Sequence, residues 1–135
     1  MGHYERYEEF AKRMEERFPA MFVGAYGGFA VEEGWWQIIE SLCANIQSHI
    51  DWANRKDQVV AQVTVDQIKE KFGGLRFYYS GGDDTIHGMV RMAEAWADVS
   101  CEVCGSRGTR RNGGWVRTLC DAHEAERQER LKGNN

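Results

Sequence analysis

The chain has 135 residues, 42% of them hydrophobic, with one proline and a formal net charge of −4. That length supports one domain with a real core and is too short for two independent ones. No apolar run approaches the roughly 20 residues that cross a bilayer, the start Met1-Gly2-His3-Tyr4-Glu5-Arg6 lacks a signal peptide's hydrophobic segment, and the net acidity speaks against a surface that is nucleic-acid footprint throughout, so a soluble cytoplasmic protein is expected.

Tyr4, Tyr7, Ala11, Met14 and Phe18 recur at steps of three and four, which predicts an amphipathic helix ended by Pro19. From Ala20 to Glu33 the pattern breaks among Gly24, Gly27 and Gly28, giving a loop with a short strand around Phe29 to Val31. Trp35, Ile38, Ile39, Leu42, Cys43, Ile46 and Ile50 predict a second helix. Val59, Ala61, Val63 and Val65 then alternate with Val60, Gln62, Thr64 and Asp66 at the period of a half-buried strand, and Leu75, Phe77 and Tyr79 repeat that period after Lys69-Glu70-Lys71-Phe72-Gly73-Gly74. The two strands predict an antiparallel hairpin. Asp83-Asp84 precedes Ile86, Met89, Val90, Ala93, Trp96 and Ala97, an Asp-capped third helix that runs straight to Cys101.

Cys101, Cys104, Cys120 and His123 read C-x2-C-x15-C-x2-H. Three thiolates and one imidazole complete a tetrahedral set for one Zn²⁺, leaving no open position, so the ion is expected to be structural. Asn112-Gly113-Gly114 marks a hairpin between the two ligand pairs, and a helix is predicted from Asp121 to Leu131. Knuckle, hairpin and helix in that order make a treble-clef-like module. Cys43 is left single and reads as a small buried hydrophobe in a reducing compartment.

Two basic stretches stand out. Arg107, Arg110, Arg111 and Arg117 fall within eleven positions of the zinc hairpin, where they either meet phosphates or an acidic protein surface or are balanced by Glu124, Glu126 and Glu129. Lys69, Lys71 and Arg76 surround the glycine pair Gly73-Gly74, whose amides suit an anion, with Tyr78 placed for stacking on the face of Arg76; the alternative is a solvated hairpin bend. Neither a phosphate-binding loop nor a dinucleotide fingerprint is present. Candidates for catalysis are thin: His49 and His87 sit on helical stretches, Asp83-Asp84 serves as a cap, and the zinc hairpin lacks the histidine that HNH-type nucleases use there.

The fold class expected is α+β: helices on a small antiparallel β-hairpin or sheet over residues 1–100, with the zinc module of residues 101–135 packed against it as one unit. Gly34-Trp35, the run Gln67-Ile-Lys-Glu-Lys-Phe-Gly-Gly-Leu-Arg-Phe-Tyr-Tyr79, and Cys101-Glu-Val-Cys-Gly-Ser-Arg-Gly followed by Gly114-Trp-Val-Arg-Thr-Leu-Cys-Asp-Ala-His123 resemble a family of small phage, prophage and bacterial proteins with no established activity. The resemblance implies a phage setting, in a bacterial or infected-cell cytoplasm, and binding rather than catalysis. Two readings stand side by side: a module that binds a host protein, for instance to block a defence, and a protein that binds nucleic acid or a signalling nucleotide through the Lys/Arg hairpins.

Overall fold

The computed structural model describes residues 2–133. Its elements are α1 (His3–Arg17), β1 (Phe29–Ala30), a 3-10 turn Glu33–Trp35, α2 (Trp36–Arg55), β2 (Thr64–Lys71), β3 (Gly74–Ser80), α3 (Asp84–Ala97), β4 (Thr109–Arg111), β5 (Arg117–Leu119) and α4 (Asp121–Gly133). This is an α+β protein with one three-stranded sheet, ordered β1-β2-β3, and a separate two-stranded sheet, β4-β5.

Helix α1 buries Phe10 and Met14 and leaves Tyr4 at the surface. Phe10, one residue outside the expected stripe, stacks flat on Trp36 with ring centroids 4.7 Å apart and takes the central place. Glu40 of α2 receives both Arg13 and Arg17, which fastens the two helices outside the core. Along α2, Ile39, Leu42, Cys43, Ile46 and Ile50 are buried at helical spacing.

The sheet departs from expectation in two ways. First, the strand begins at Thr64 rather than Val59, and Lys69, Glu70 and Lys71 are strand rather than connection. Upstream, backbone groups find other partners: the Val60 amide donates to Asn54 Oδ1 and the Ala61 carbonyl accepts from Gly82. Val59 is consequently 96% exposed, because an alternating pattern makes a strand only where a neighbour strand offers a ladder. Second, the sheet is mixed, since β1 pairs parallel to β2 at Phe29↔Ile68 and Ala30↔Lys69. Between β2 and β3 the pairing is antiparallel, with a bulge between Val65 and Gln67.

Asp83 caps α3, its Oδ1 accepting the Ile86 amide at 3.0 Å. Its other oxygen lies 2.8 Å from His49 Nε2, so one carboxylate ties α3 to α2. Ile86, Val90, Ala93 and Ala97 face the core, while Trp96, expected in that stripe, is 61% exposed.

After α3 the chain builds its second sheet against the first body. The Gly34 amide donates to the Glu102 carbonyl at 2.8 Å, and the buried Trp35 indole donates to the Ser100 carbonyl at 2.9 Å. At the far end, the Thr118 hydroxyl donates to the Gly73 carbonyl at 2.7 Å. These bonds lock the segment before α2 and the β2–β3 tip onto the cysteine-bearing module.

Candidate metal centre and binding surfaces

Two short turns and a helix start bring the four metal-type ligands together. Gly105, at φ +82°, lets its amide reach back to the Cys101 carbonyl at 2.8 Å, closing the knuckle that holds Cys101 and Cys104. Strand β5 then delivers Cys120 to the start of α4, and one helical step places His123 beside it.

The donor atoms of Cys101, Cys104, Cys120 and His123 all lie within 4.8 Å of one another. Cys104 and Cys120 sulfurs are 3.9 Å apart, His123 Nδ1 is 3.6 Å from Cys101 Sγ, and it is 3.2 Å from Cys120 Sγ. A tetrahedral ion bound by thiolates at about 2.3 Å requires sulfurs about 3.8 Å apart, so the cluster fits a metal ion. His123 offers Nδ1, and its Nε2 is 3.9 Å from Glu126 Oε2, the side on which an outer carboxylate orients a ligating imidazole. The hydroxyl and then the amide of Ser106 pull the Cys104 thiol down to about 6, toward the thiolate a metal needs, while burial pushes the Cys101 thiol up. Cys43 stands apart, fully buried on α2 with its thiol pushed up by desolvation.

Carboxylates take three of the four hairpin arginines. Arg110 pairs with Asp98 at 2.7 Å, Arg111 with Asp121 at 2.8 Å, and Arg117 with Glu32. Arg107 makes no ion pair among the described residues. Glu102 sits buried behind Arg117, its carboxyl raised by desolvation, and its Oε2 accepts the Thr118 amide at 2.6 Å. Arg110 also reaches the β2–β3 tip, donating to the Gly73 carbonyl at 3.3 Å, whereas Arg111 turns toward α4.

At that tip the bend is Phe72–Gly73, and Gly74 already belongs to β3. The Gly73 amide, one of the two expected to face an anion, is held by Glu70 Oε2 at 2.6 Å. Lys69, Lys71, Arg76 and Tyr78 stand together on the outer face of the β2–β3 hairpin, opposite the face that buries Ile68, Leu75 and Phe77.

A separate concavity involves none of the basic residues. A groove of 810 Å³ runs between α2 and α3, walled by Ile38, Leu42, Met89, Met92 and Trp96 and closed at one end by Cys104 and Gly105 of the knuckle. Gln37, Ser41 and Asn45 give it a polar, uncharged side, and Glu33, its single charged lining residue, pairs with Arg6 at 2.8 Å. Periodicity placed Met89 and Trp96 on a buried face, whereas Met89 is half-buried and Trp96 exposed. Met92 carries no signal in the sequence.

No protein-family model, curated protein sequence or solved structure matches the chain. Among the described residues, no helix is long and apolar enough to cross a membrane.

Proposed function

We propose that this chain is a non-enzymatic binding protein, stabilised by one structural Zn²⁺ on Cys101, Cys104, Cys120 and His123, that holds an apolar helix of a protein partner in the groove between α2 and α3. Three thiolates and an imidazole favour zinc among the first-row ions available to a cell, and the closed set leaves the metal nothing to do but hold the fold. The observation that carries the binding reading is the groove's lining. It is long, walled by two methionines and a tryptophan, and has no lysine or arginine to meet a phosphate. Methionine walls adapt to an apolar surface, and an elongated trough between two helices is the shape that receives a third. Histidines offer no competing enzymatic reading, since His49 bonds the capping Asp83 and His87 Nδ1 lies 2.6 Å from the Tyr79 hydroxyl. In the phage setting implied by the resemblance, the partner is a host protein, and occupying its helix would block its normal contacts.

The test is affinity capture from bacterial lysate with wild type and Met92→Asp in parallel, with zinc content and thermal midpoint measured on both. A protein captured by wild type and lost by a correctly folded Met92→Asp, then shown to bind by calorimetry with purified components, supports the reading. Equal capture by both proteins, or by Ala93→Trp, which fills the groove, would sink it.

A further inference from the structure

Three local costs fall on one strip of this protein: one holds cations at the surface, and two hold aromatic side chains there. The first is a like-charge pair: Lys69 and Arg76 stand directly opposite each other in the β2–β3 ladder, an arrangement that destabilises a hairpin. Neither joins an ion pair among the described residues, and nor does Lys71, two positions along on the same face.

The second is Phe72. It occupies the first of the two turn positions at φ +53°, followed by Gly73 at +77°, the two positive values of a type I′ turn. Asparagine and glycine adopt this conformation readily, whereas a bulky aromatic there is an outlier. Burial offers no compensation, because the ring is 71% exposed. Surrounding bonds hold the turn in place: Glu70 takes the Gly73 amide, while Thr118 and Arg110 take the Gly73 carbonyl.

The third is Arg127. Its side chain is buried, and among the described residues its Nη1 has no hydrogen-bond partner. Its Nη2 instead clamps the β4–β5 turn, donating to the Gly113 carbonyl at 3.1 Å and the Trp115 carbonyl at 2.6 Å. What this buried cation fixes is Trp115, whose ring is 74% exposed.

Phe72 and Trp115 border one cleft of 300 Å³, with Lys71 in its lining. Glu70, the one acid there, is turned to the Gly73 amide. A Cβ on Gly74 would sit 3.2 Å from Arg76 Nη1 and 3.5 Å from Arg110 Nη2, so two guanidinium groups converge at Gly74, that of Arg110 paired with Asp98. Tyr78, 43% exposed, continues the strip along β3. Asp66, in the bulge at the far end, is bonded to Ser80.

We propose that the tips of the β2–β3 and β4–β5 hairpins form a binding site for single-stranded nucleic acid, with Phe72 and Trp115 as stacking surfaces for bases and Lys69, Lys71 and Arg76 along the phosphates. Exposed rings beside cations that join no ion pair among the described residues are what a sequence-tolerant single-strand site requires, and strain that a fold maintains at exposed side chains points to function. The site shares no residue with the α2–α3 groove. Arg127 and Thr118 are positioning residues, acting through the turns they clamp.

The experiment is fluorescence anisotropy of a short labelled oligothymidylate with the full, metal-loaded chain at low salt, alongside thermal midpoints. Wild type should bind the oligonucleotide more tightly than a duplex of the same length, and binding should weaken as salt is added. Phe72→Asn and Trp115→Ala should each reduce affinity by about tenfold, the size of one lost stacking contact. Phe72→Asn should also match or exceed wild type in thermal midpoint, since asparagine before Gly73 suits the turn; loss of binding then cannot be assigned to misfolding. No binding at low salt, equal binding by both variants, or a preference for duplex would each overturn the proposal. So would Phe72→Asn abolishing capture of a protein partner while leaving oligonucleotide binding intact, which would assign the tips to a protein interface.

Discussion

The Thr118 hydroxyl and the Gly73 carbonyl, 2.7 Å apart and buried, join the tip of one hairpin to the side of the other. Thr118→Val keeps the shape and removes the donor. The Gly73 carbonyl would then depend on Arg110 at 3.3 Å alone. A buried acceptor deprived of its better partner costs about 1 to 3 kcal/mol. Urea denaturation should show that loss, and amide exchange should show the Phe72–Gly73 turn losing protection before the rest of the sheet.

Gly34 fits where no other residue does. A Cβ there would lie 2.1 Å from the Cys101 carbonyl oxygen and 2.5 Å from that of Glu102, both main-chain atoms that cannot step aside. Gly34→Ala should therefore destabilise by about 3 kcal/mol, the upper range for overpacking. Metal affinity should fall with it, because the clash is with the knuckle that carries Cys101 and Cys104. Chemical denaturation and a competition titration for the metal check the two effects separately.

Metal removal should undo the module and its attachments together. Structural zinc in small modules is linked to folding by on the order of 10 kcal/mol. Chelation, or Cys104→Ser, should erase amide protection after Ser100 and at Gly34, whose amide is held by the Glu102 carbonyl. Protection around Ile46, deep in α2, should persist. Hydrogen exchange with and without chelator decides the matter; unchanged protection after Ser100 in metal-free protein would contradict a structural ion.

The thiols should divide three to one. With the ion removed and the segment after Ser100 unfolded, Cys101, Cys104 and Cys120 should all alkylate without denaturant. Cys43, fully buried with its thiol pushed up by desolvation, should react only on global unfolding, and Cys43→Ala should leave metal content unchanged. Mass-resolved alkylation with and without denaturant reads both outcomes.

Asp83 predicts a pH signature. Its carboxyl is held below the ordinary value, first by the hydrogen bond with His49 and then by the Ile86 amide. A group whose folded value is lowered contributes stability that is complete above its unfolded value, about pH 4, and is lost as pH falls through the folded value. Asp83→Ala should cost about 1 kcal/mol of capping at neutral pH, and the gap from wild type should narrow in acid. Asp83→Asn, which still caps, should fall between them. Urea midpoints at neutral and acid pH test the ordering.

Much of the fold was legible because helices announce themselves by local period. The bounds of α1, α2 and α3 follow from spacing, Pro19 and Asp83, all readable within a few residues. The strand start was misplaced for a physical reason: Val59 to Val65 alternates, but whether such a run becomes strand depends on a neighbour, and β3 ends at Ser80, opposite Thr64. The tip bend moved by one residue for a related reason, since Gly73-Gly74 reads as the bend until Glu70, Thr118 and Arg110 are seen gripping Gly73 from three sides.

By itself the sequence determined the Cys/His cluster that could hold a metal, because coordination demands donor types at short spacings that a knuckle and one helical turn satisfy locally. It also determined the helix faces and the Asp83 cap, which rest on contacts within a single turn. Tertiary structure alone decided that Arg110, Arg111 and Arg117 spend their charge on Asp98, Asp121 and Glu32, that Met92 and Trp96 wall a groove, and that Phe72 and Trp115 share a cleft. Pairing and exposure of this kind are properties of two distant segments brought together, and a residue's own neighbours in the chain carry no record of which surface will cover it.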